Sequence, residues 1–375
     1  MSGRLLRLVC TAAVAAGVAL APVPAVGAPE PEGRSVGALL TDLQRLYREA
    51  EQASETYNAT EEKLKTQRAE VARIDGDLAK ARLSLHDSRG VAGRLARQQY
   101  QNSSEISSYV RLLLARDPQH ALDEGHVIRQ LSQERAASVQ RLEGNEKRSD
   151  ALARAARKAL DGQLTLAERQ KKARDGVQKR LADVEELLAS LSAEQLRQLA
   201  ELERAGTVAA QKKFMASGAL SSERAPSREG DAALRYAVQQ IGKPYEWGAE
   251  GPASYDCSGL TSQAWDHAGQ AIPRTSQEQW AELPRIRLGE LRPGDLVIYF
   301  PEATHVALYL GDGMVVQAPR PGAKVKVSPI AANPVLGAVR PDPGGEPLRR
   351  YTPPKLPEHA LDGADEGYAP VTEPR

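Results

Sequence analysis

Cys257 is the residue whose type and setting are best suited to covalent chemistry in this chain. The 375-residue sequence contains only two cysteines, Cys10 and Cys257, which excludes a disulfide scaffold and a cysteine-based zinc cluster. The residue pattern predicts a helix that begins at Cys257. A helix N-terminus offers unpaired N–H groups and partial positive charge, which favour a thiolate and can hold an oxyanion. We therefore interpret Cys257 as a nucleophile; a buried structural thiol and an intermolecular bridge are the alternatives.

A thiolate nucleophile needs a base, and position along the chain selects His305 from six histidines. His267 lies ten residues after Cys257 in the same predicted helix, roughly 15 Å away along its axis. His359 falls in a proline-rich tail. Three others fall in a predicted helical region without metal-ligand spacing: His86, His120 and His126. His305 opens a short apolar strand and is the candidate base.

The polar partner of His305 depends on how the chain turns back after this strand. Residues 311–313 form a hairpin turn signal, and residues 314–318 are expected to form the returning strand. With a three-residue turn, His305 and Gln317 become diagonal neighbours on one face, where the Gln317 amide could orient the imidazole. A two-residue turn would place them on opposite faces.

Five ordered blocks within residues 231–335 resemble the NlpC/P60 family of cell-wall endopeptidases. The blocks are Tyr245-x-Trp-Gly, Asp256-Cys-Ser-Gly-Leu260, Pro273-Arg-Thr-Ser-Gln277, Leu291-x-Pro-Gly-Asp-Leu296 and His305-Val-x-x-Tyr-x-Gly311. The resemblance implies an α+β papain-like catalytic domain over residues 231–340, with the nucleophile helix packed against an antiparallel sheet. It also implies cleavage of peptidoglycan stem peptides, typically between D-γ-glutamate and the following diamino acid.

The resemblance further implies roles for individual residues, without any metal or cofactor. Cys257 would be the nucleophile, His305 the base and Gln317 the third member of the triad. That third position often holds His in the family, and a neutral Gln adds no charge to stabilise an imidazolium. Tyr245 matches a tyrosine that helps to bind the oxyanion or the substrate. Four positions match the lining of the substrate groove: Asp256, Ser258, Arg274 and Ser276.

Residues 34–217 are predicted to form a long α-helical coiled-coil domain. A 3-4 spacing of mostly apolar residues runs unbroken through residues 36–85, which predicts a coiled coil roughly 75 Å long. Pro118 should break the helix, with a short helical piece expected near residues 104–115 and a second helical region at about 119–217. Two antiparallel helices in one chain are the simplest arrangement, and an intermolecular coiled coil is the alternative.

The remaining segments have other signatures. Two arginines, an apolar run and small residues predict a secretory signal peptide over residues 1–28, with an uncleaved anchor as the alternative. Residues 218–230 are expected to form a flexible linker, and the proline-rich residues 341–375 a disordered tail. Cleavage of the signal would remove Cys10, so that the mature chain keeps a single thiol.

Charge and targeting limit the partners of the protein. Lys and Arg number 50 against 49 Asp and Glu, so net charge gives no case for nucleic-acid binding. The signal peptide and the family resemblance predict a secreted protein of the cell wall. Peptidoglycan is the expected partner, and a membrane or divisome protein is a candidate regulator that would act through the coiled coil.

Several functions stay compatible with these residues. The first is a peptidoglycan endopeptidase used in wall remodelling or daughter-cell separation. The same Cys/His pair could instead serve an amidase or an acyltransferase. A third hypothesis is a non-catalytic coiled-coil activator of other hydrolases. As a means of control, the helical hairpin could cover the active-site groove until a partner moves it.

Overall fold

The computed structural model describes residues 35–101, 110, 117–220 and 224–361. The predicted signal peptide, most of the expected short helix at 104–115 and the end of the predicted tail lie outside these residues. Among the helices that are described, none is long and apolar enough to cross a membrane.

A hairpin of two long helices forms the N-terminal part of the described chain. Helix α1 spans Val36–Gln101 and helix α2 spans Pro118–Ala189. Their antiparallel pairing is fixed by hydrogen bonds from Gln67 Nε2 to the Ala159 carbonyl (2.9 Å) and from Asn145 Nδ2 to Ser88 Oγ (2.7 Å). Buried apolar residues of α1 follow the predicted heptads: Leu64, Ile74, Leu78, Ala81 and Leu85. The prediction of an antiparallel hairpin within one chain is confirmed.

The second helical region is broken, where the sequence predicted one continuous helix. Helix α3 spans Ala193–Ala216 and begins after Ser192, whose side chain accepts from the Gln195 N–H while the Gln195 side chain accepts from the Ser192 N–H. This capping box satisfies backbone groups at a new helix start, which makes the break favourable. Helix α3 then packs against α1 through Leu199 and Leu39.

The C-terminal domain combines three helices with one antiparallel sheet. Its helices are α4 (Arg228–Gln239), α5 (Cys257–His267) and α6 (Ser276–Glu282). Its strands are β1 (Arg285–Ile286), β2 (Leu296–Tyr299), β3 (His305–Gly311), β4 (Met314–Gln317), β5 (Lys326–Pro329) and β6 (Val335–Val339). The strand order is β1-β6-β2-β3-β4-β5. The predicted α+β papain-like fold after a long helical domain is confirmed.

Both faces of the sheet are covered because alternate strand residues point to opposite sides. On one side, Leu308 belongs to a core with Leu234 of α4 and Leu260 of α5. On the other side, Tyr309 belongs to a core against which Phe214 of α3 packs. Helix α3 therefore holds the sheet domain directly, on the face opposite to the nucleophile helix.

Two predicted boundaries differ from the structure. Helix α4 begins at Arg228 and its N-cap Ser227 is fully buried, so the ordered domain starts inside the predicted linker. The tail predicted to be disordered from residue 341 is packed on the domain as far as Ala360. Arg292 binds Asp342 (2.9 Å) and the Ala360 carbonyl accepts from the Val327 N–H (2.8 Å). These polar contacts anchor the segment although it lacks hydrophobic periodicity.

Candidate active site

The thiol of Cys257 lies at the first residue of α5, as the sequence predicted. Asp256 is the N-cap, and its side chain accepts from the Gly259 N–H (2.6 Å). A Cβ atom on Gly259 would collide with the carbonyl oxygen of Ala249. The glycine is required because a backbone segment of the neighbouring loop crosses directly over this turn of the helix.

The imidazole of His305 lies at the start of β3 and contacts Gln317 at the end of β4. His305 Nε2 is 2.7 Å from Gln317 Oε1. An amide oxygen only accepts, so Nε2 carries the proton and Nδ1 is the nitrogen that can act as the base. The structure therefore brings this predicted pair together, on one face of the sheet.

A strand irregularity makes this pairing possible. Gly311 pairs with Met314, so the turn has two residues rather than the three that the sequence suggested. The register shifts between Tyr309 and Gly311, and Tyr309 then faces Val315. The bulge adds one unpaired residue to β3. It therefore keeps His305 and Gln317 on the same face of the sheet, as a three-residue turn would have done.

Cys257 and the strand of His305 are in contact. Val306, the residue after the base, belongs to the same buried core as Cys257, and its backbone N–H lowers the pKa of the thiol. Tyr245 is buried in that core as well. The structure thus assembles Cys257, His305, Gln317 and Tyr245 in one place, and their individual catalytic roles stay predictions.

Arg274 and Asp256 hold the loops around the thiol together. Arg274 Nη2 is 2.7 Å from Asp256 Oδ2, and its Nε is 2.8 Å from Glu250 Oε1. Both side chains of the Arg274–Asp256 pair are almost fully buried. Arg274 Nη1 also donates to Ser258 Oγ (2.8 Å). Their predicted role in lining a substrate groove stays a prediction.

A carboxyl group from α1 occupies the position directly above the thiol. Glu55 Oε1 accepts from Ser258 Oγ (2.8 Å) and lies 3.7 Å from Cys257 Sγ. Glu55 Oε2 accepts from the Ser276 N–H (3.0 Å). Ser258 and Ser276, both predicted as groove residues, therefore bind a carboxyl group in this structure. Cys257 is buried beneath it, 3% exposed.

Other residues of α1 extend this contact along the groove. Glu51 Oε1 is 3.7 Å from His305 Nδ1. Asn58 Nδ2 donates to Asp256 Oδ2 (3.0 Å), and the ring of Tyr57 packs edge-on against Trp247 at 5.0 Å between centroids. From residue 51 to residue 58 the helix covers the base, the nucleophile and the loop beyond it.

Helix α3 makes a second set of contacts with the domain. Gln211 Nε2 donates to the Gly313 carbonyl (3.0 Å), and its Oε1 accepts from the Ala331 N–H (3.1 Å). Glu203 Oε1 lies 3.3 Å from Arg320 Nη2, and the Arg320 guanidinium lies 4.3 Å from the centroid of the Tyr47 ring. Helices α1 and α3 are thus attached to two sides of the sheet domain.

The electrostatics of the closed site oppose thiolate formation. Burial raises the pKa of the Cys257 thiol well above its ordinary value, and the carboxyl groups of Glu55, Asp256 and Glu51 raise it further. Burial, followed by the charge of Asp256, raises the pKa of Glu55 to about 8. Burial also raises the pKa of Glu51 to about 8, against the opposing effect of Arg320. Burial and these carboxyl groups outweigh the stabilisation of a thiolate by the start of α5 as long as α1 covers the thiol.

Sequence reasoning did not find Glu51, Glu55 and Asn58. They lie beside the heptad seam of α1, on a helix face that is expected to be solvated in a coiled coil. Nothing near them in the sequence marks this face of α1 for a contact with the sheet domain.

The arrangement contains the groups that nucleophilic catalysis needs, and α1 covers them. A thiol beside a histidine that a polar group orients is the geometry of acyl transfer. Within the described ranges, no group of three His, Cys, Asp or Glu side chains could hold a metal ion.

Fold and site together define a papain-like α+β domain, with a helix-borne thiol packed against an antiparallel sheet that carries the histidine. Residues 242–337 match the model of the NlpC/P60 family, so the chain carries an NlpC/P60 domain in its C-terminal part. This match agrees with the resemblance of the five sequence blocks.

Known proteins with similar sequences carry endopeptidase names. A "Probable endopeptidase" of Corynebacterium glutamicum (strain R) is 45% identical over 101 residues, covering 27% of this chain and 48% of that protein. A "Probable endopeptidase" of Mycobacterium tuberculosis (strain ATCC 25618 / H37Rv) is 36% identical over 110 residues, covering 29% of each. The chain thus spans about half of the first relative and less of the second.

A solved structure also matches the domain. RipD from Mycobacterium tuberculosis is described as a non-catalytic NlpC/p60 domain protein with an adaptation to peptidoglycan-binding function. It is 31% identical with a TM-score of 0.28, and the match covers 31% of this chain and 98% of that chain.

Proposed function

We propose that this protein is a secreted cysteine endopeptidase that cleaves peptidoglycan stem peptides during wall remodelling or daughter-cell separation. The observation that carries the proposal is the assembly of Cys257 at a helix start with the His305–Gln317 pair, inside an NlpC/P60 domain. Relatives of this domain named as probable endopeptidases support the reaction class.

The proposed reaction is an acyl transfer in two steps. The thiolate of Cys257 attacks the scissile carbonyl, and N–H groups at the start of α5, with Tyr245, hold the oxyanion. Protonated His305 gives its proton to the leaving amine, which departs and leaves a thioester. His305 Nδ1 then takes a proton from water, which attacks the thioester and releases the acid and the free thiol.

The contacts of Glu55 support a substrate with a carboxylate beside the scissile bond. Ser258 Oγ and the Ser276 N–H bind its two oxygens next to the thiol. A glutamate that is linked through its γ-carboxyl keeps its α-carboxylate, which lies close to the bond. The proposed target is therefore the D-γ-glutamyl–diamino acid bond, with Glu55 occupying the place of that α-carboxylate.

We also propose that α1 keeps the enzyme inactive. Glu55 lies over the nucleophile and Glu51 lies beside the base, so a peptide cannot reach either of them. Activation then requires displacement of the helical hairpin. A membrane or divisome protein that binds the hairpin outside the cytoplasm is the proposed activator, and peptidoglycan is the proposed substrate.

The function is tested with the intact mature chain and a double charge reversal. Glu51→Lys with Glu55→Lys places cations near Arg320 and Arg274 and should displace α1; we refer to it as the opened variant. Defined muropeptides are incubated with the wild type, the opened variant and the opened variant with Cys257→Ala, and the products are weighed by mass spectrometry. We expect cleavage at the γ-glutamyl bond by the opened variant, little by the wild type and none without the thiol.

Other outcomes would identify the alternatives. Products from a different bond would favour the amidase, and transfer to an added amine would favour the acyltransferase. If the opened variant and its Cys257→Ala derivative were equally inert on every muropeptide, the non-catalytic activator would replace the enzyme as our interpretation.

A further inference from the structure

We infer that Arg320 forms a second anion-binding position in the substrate groove, which binds a carboxylate of the leaving peptide. This inference rests on the proposed function. Arg320 would determine the specificity for the leaving residue. It lies on the side of His305 that is opposite to Ser258 and Ser276.

Helix α1 gives the order of positions along the groove. Tyr47, Glu51 and Glu55 are spaced by four residues and therefore lie on one helix face, over a length of roughly 12 Å. Tyr47 packs on the Arg320 guanidinium, Glu51 faces the base and Glu55 lies on the nucleophile. Arg320 is thus at one end of the groove, the carboxyl-binding serines are at the other, and the reacting atoms lie between them.

The chain itself places a carboxylate at this position in the closed structure. Arg320 Nη2 lies 3.3 and 3.4 Å from the two carboxylate oxygens of Glu203. Arg320 is only 8% exposed, so this ion pair is shielded from water. Tyr47 is on α1 and Glu203 is on α3, so an opening that frees Arg320 moves both helices. Displacement of both helices would leave a cation that favours a new anion.

There is space for such a group beside Arg320. A cavity of about 340 Å³ adjoins it, and the sheet domain lines this cavity with Gln317, Phe300 and Asn333. The cavity therefore reaches from the third member of the proposed triad to Arg320. A peptide that leaves past His305 would enter this space.

Helices α1 and α3 present two carboxyl groups at two binding positions, and a stem peptide presents the same chemistry. Glu55 stands for the α-carboxylate of the γ-linked glutamate. By the same reasoning, Glu203 stands for a carboxylate carried by the amino acid after the scissile bond. Arg can bind a carboxylate with two parallel hydrogen bonds, which would orient the leaving amine toward the base. An amide at that position would lose the ionic component.

The test compares two synthetic stem peptides that differ only in the leaving residue, with a free carboxylate in one and a carboxamide in the other. The opened variant is measured with Arg320, Arg320→Gln or Arg320→Lys. We expect Arg320→Gln to raise KM for the free carboxylate by about tenfold or more and to leave KM for the carboxamide unchanged. Arg320→Lys should retain part of the preference because it keeps the charge.

Arg287→Gln is the matched control, since the Arg287 side chain is 86% exposed and pairs only locally with Glu290. If Arg320→Gln changed both substrates equally, or neither, the inference would be wrong while the proposed function stood. If the opened variant cleaved neither peptide, the proposed function would fail and the inference with it. Circular dichroism of each variant identifies any loss of fold. If Arg320→Gln does not fold, the two substrates are compared with Arg320→Lys instead.

Discussion

Glu55 Oε1 lies 3.7 Å from Cys257 Sγ, although 202 positions separate the two residues in the sequence. The carboxyl group blocks access to the nucleophile and raises the pKa of the thiol. A single contact therefore acts twice, because removal of α1 would uncover the sulfur and also allow the start of α5 to stabilise a thiolate.

The opened variant should expose Cys257 to small alkylating reagents. We expect iodoacetamide to modify the Glu51→Lys/Glu55→Lys chain at least tenfold faster than the wild type at one pH, measured by mass spectrometry. Glu49→Lys with Glu62→Lys is the matched control, because both side chains are partly exposed and form ion pairs within α1. Equal labelling rates in the opened variant and the wild type would contradict closure by α1.

The closed state should weaken as pH rises. Glu51 and Glu55 have pKa values of about 8 in the closed site against an ordinary value of 4.5. Each group binds its proton more tightly when closed, so closure is strongest below pH 4.5 and is progressively lost toward pH 8. The ratio of wild-type activity to opened-variant activity should therefore rise over this range and level off above it.

That ratio removes the pH dependence of the chemical step, which both proteins share. Glu51→Gln with Glu55→Gln replaces the two titrating carboxyls by neutral groups of similar shape, so its ratio should vary less between pH 5 and pH 8 than that of the wild type. A ratio for the wild type that stays flat over the same range would show that these carboxyls do not control closure. The carboxyl of Asp256 and the cations Arg320, Arg274 and Arg48 face these groups.

Gln317 should act through the orientation of His305. In the opened variant we expect Gln317→Ala to lower kcat by roughly tenfold or more, because the 2.7 Å contact that fixes the imidazole is lost. Gln317→His should retain most of the activity, since an imidazole can also accept from Nε2. A rise in KM alone would indicate substrate contact instead, and steady-state kinetics on one muropeptide separate the two effects.

Gly259 should be intolerant of a methyl group. Gly259→Ala forces a Cβ against the Ala249 carbonyl, so we expect a loss of more than about 2 kcal/mol in the free energy of unfolding. Gly76→Ala is the control, because a Cβ there meets no atom within 4 Å and should stabilise α1 by about 0.5–1 kcal/mol. Thermal unfolding measures both changes, and similar effects at the two positions would contradict the close approach.

The sequence predicted those parts of the site that depend on local pattern. The start of α5 follows from a capping Asp256 before Cys257, and the pairing of His305 with Gln317 follows from alternation along two adjacent strands. The sequence left the turn at two or three residues, and it has two; the bulge at Leu310 keeps His305 and Gln317 on one face despite the shorter turn. Such compensation arises from the packing of the whole sheet and leaves no local mark.

Contacts between distant segments could not be predicted in the same way. Glu55 is one charged residue among many on α1, and nothing near it in the chain indicates that its partners are Ser258 and Ser276. Heptads describe which face of α1 meets α2, but they say nothing about a third surface. The capping-box pattern of Ser192 and Gln195 is a local sequence signal for the start of α3, and the break there determines where α3 meets the sheet.

The contact of Ala360 with Val327 has a consequence for how the domain can be isolated. Strand β5 is the last strand of the sheet, and its outer backbone groups would otherwise be open to pairing with another molecule. The segment after residue 340 supplies a partner to this edge. A fragment that ended at the predicted boundary of 340 would expose it and tend to associate edge to edge, whereas one that extended through residue 361 would keep it covered.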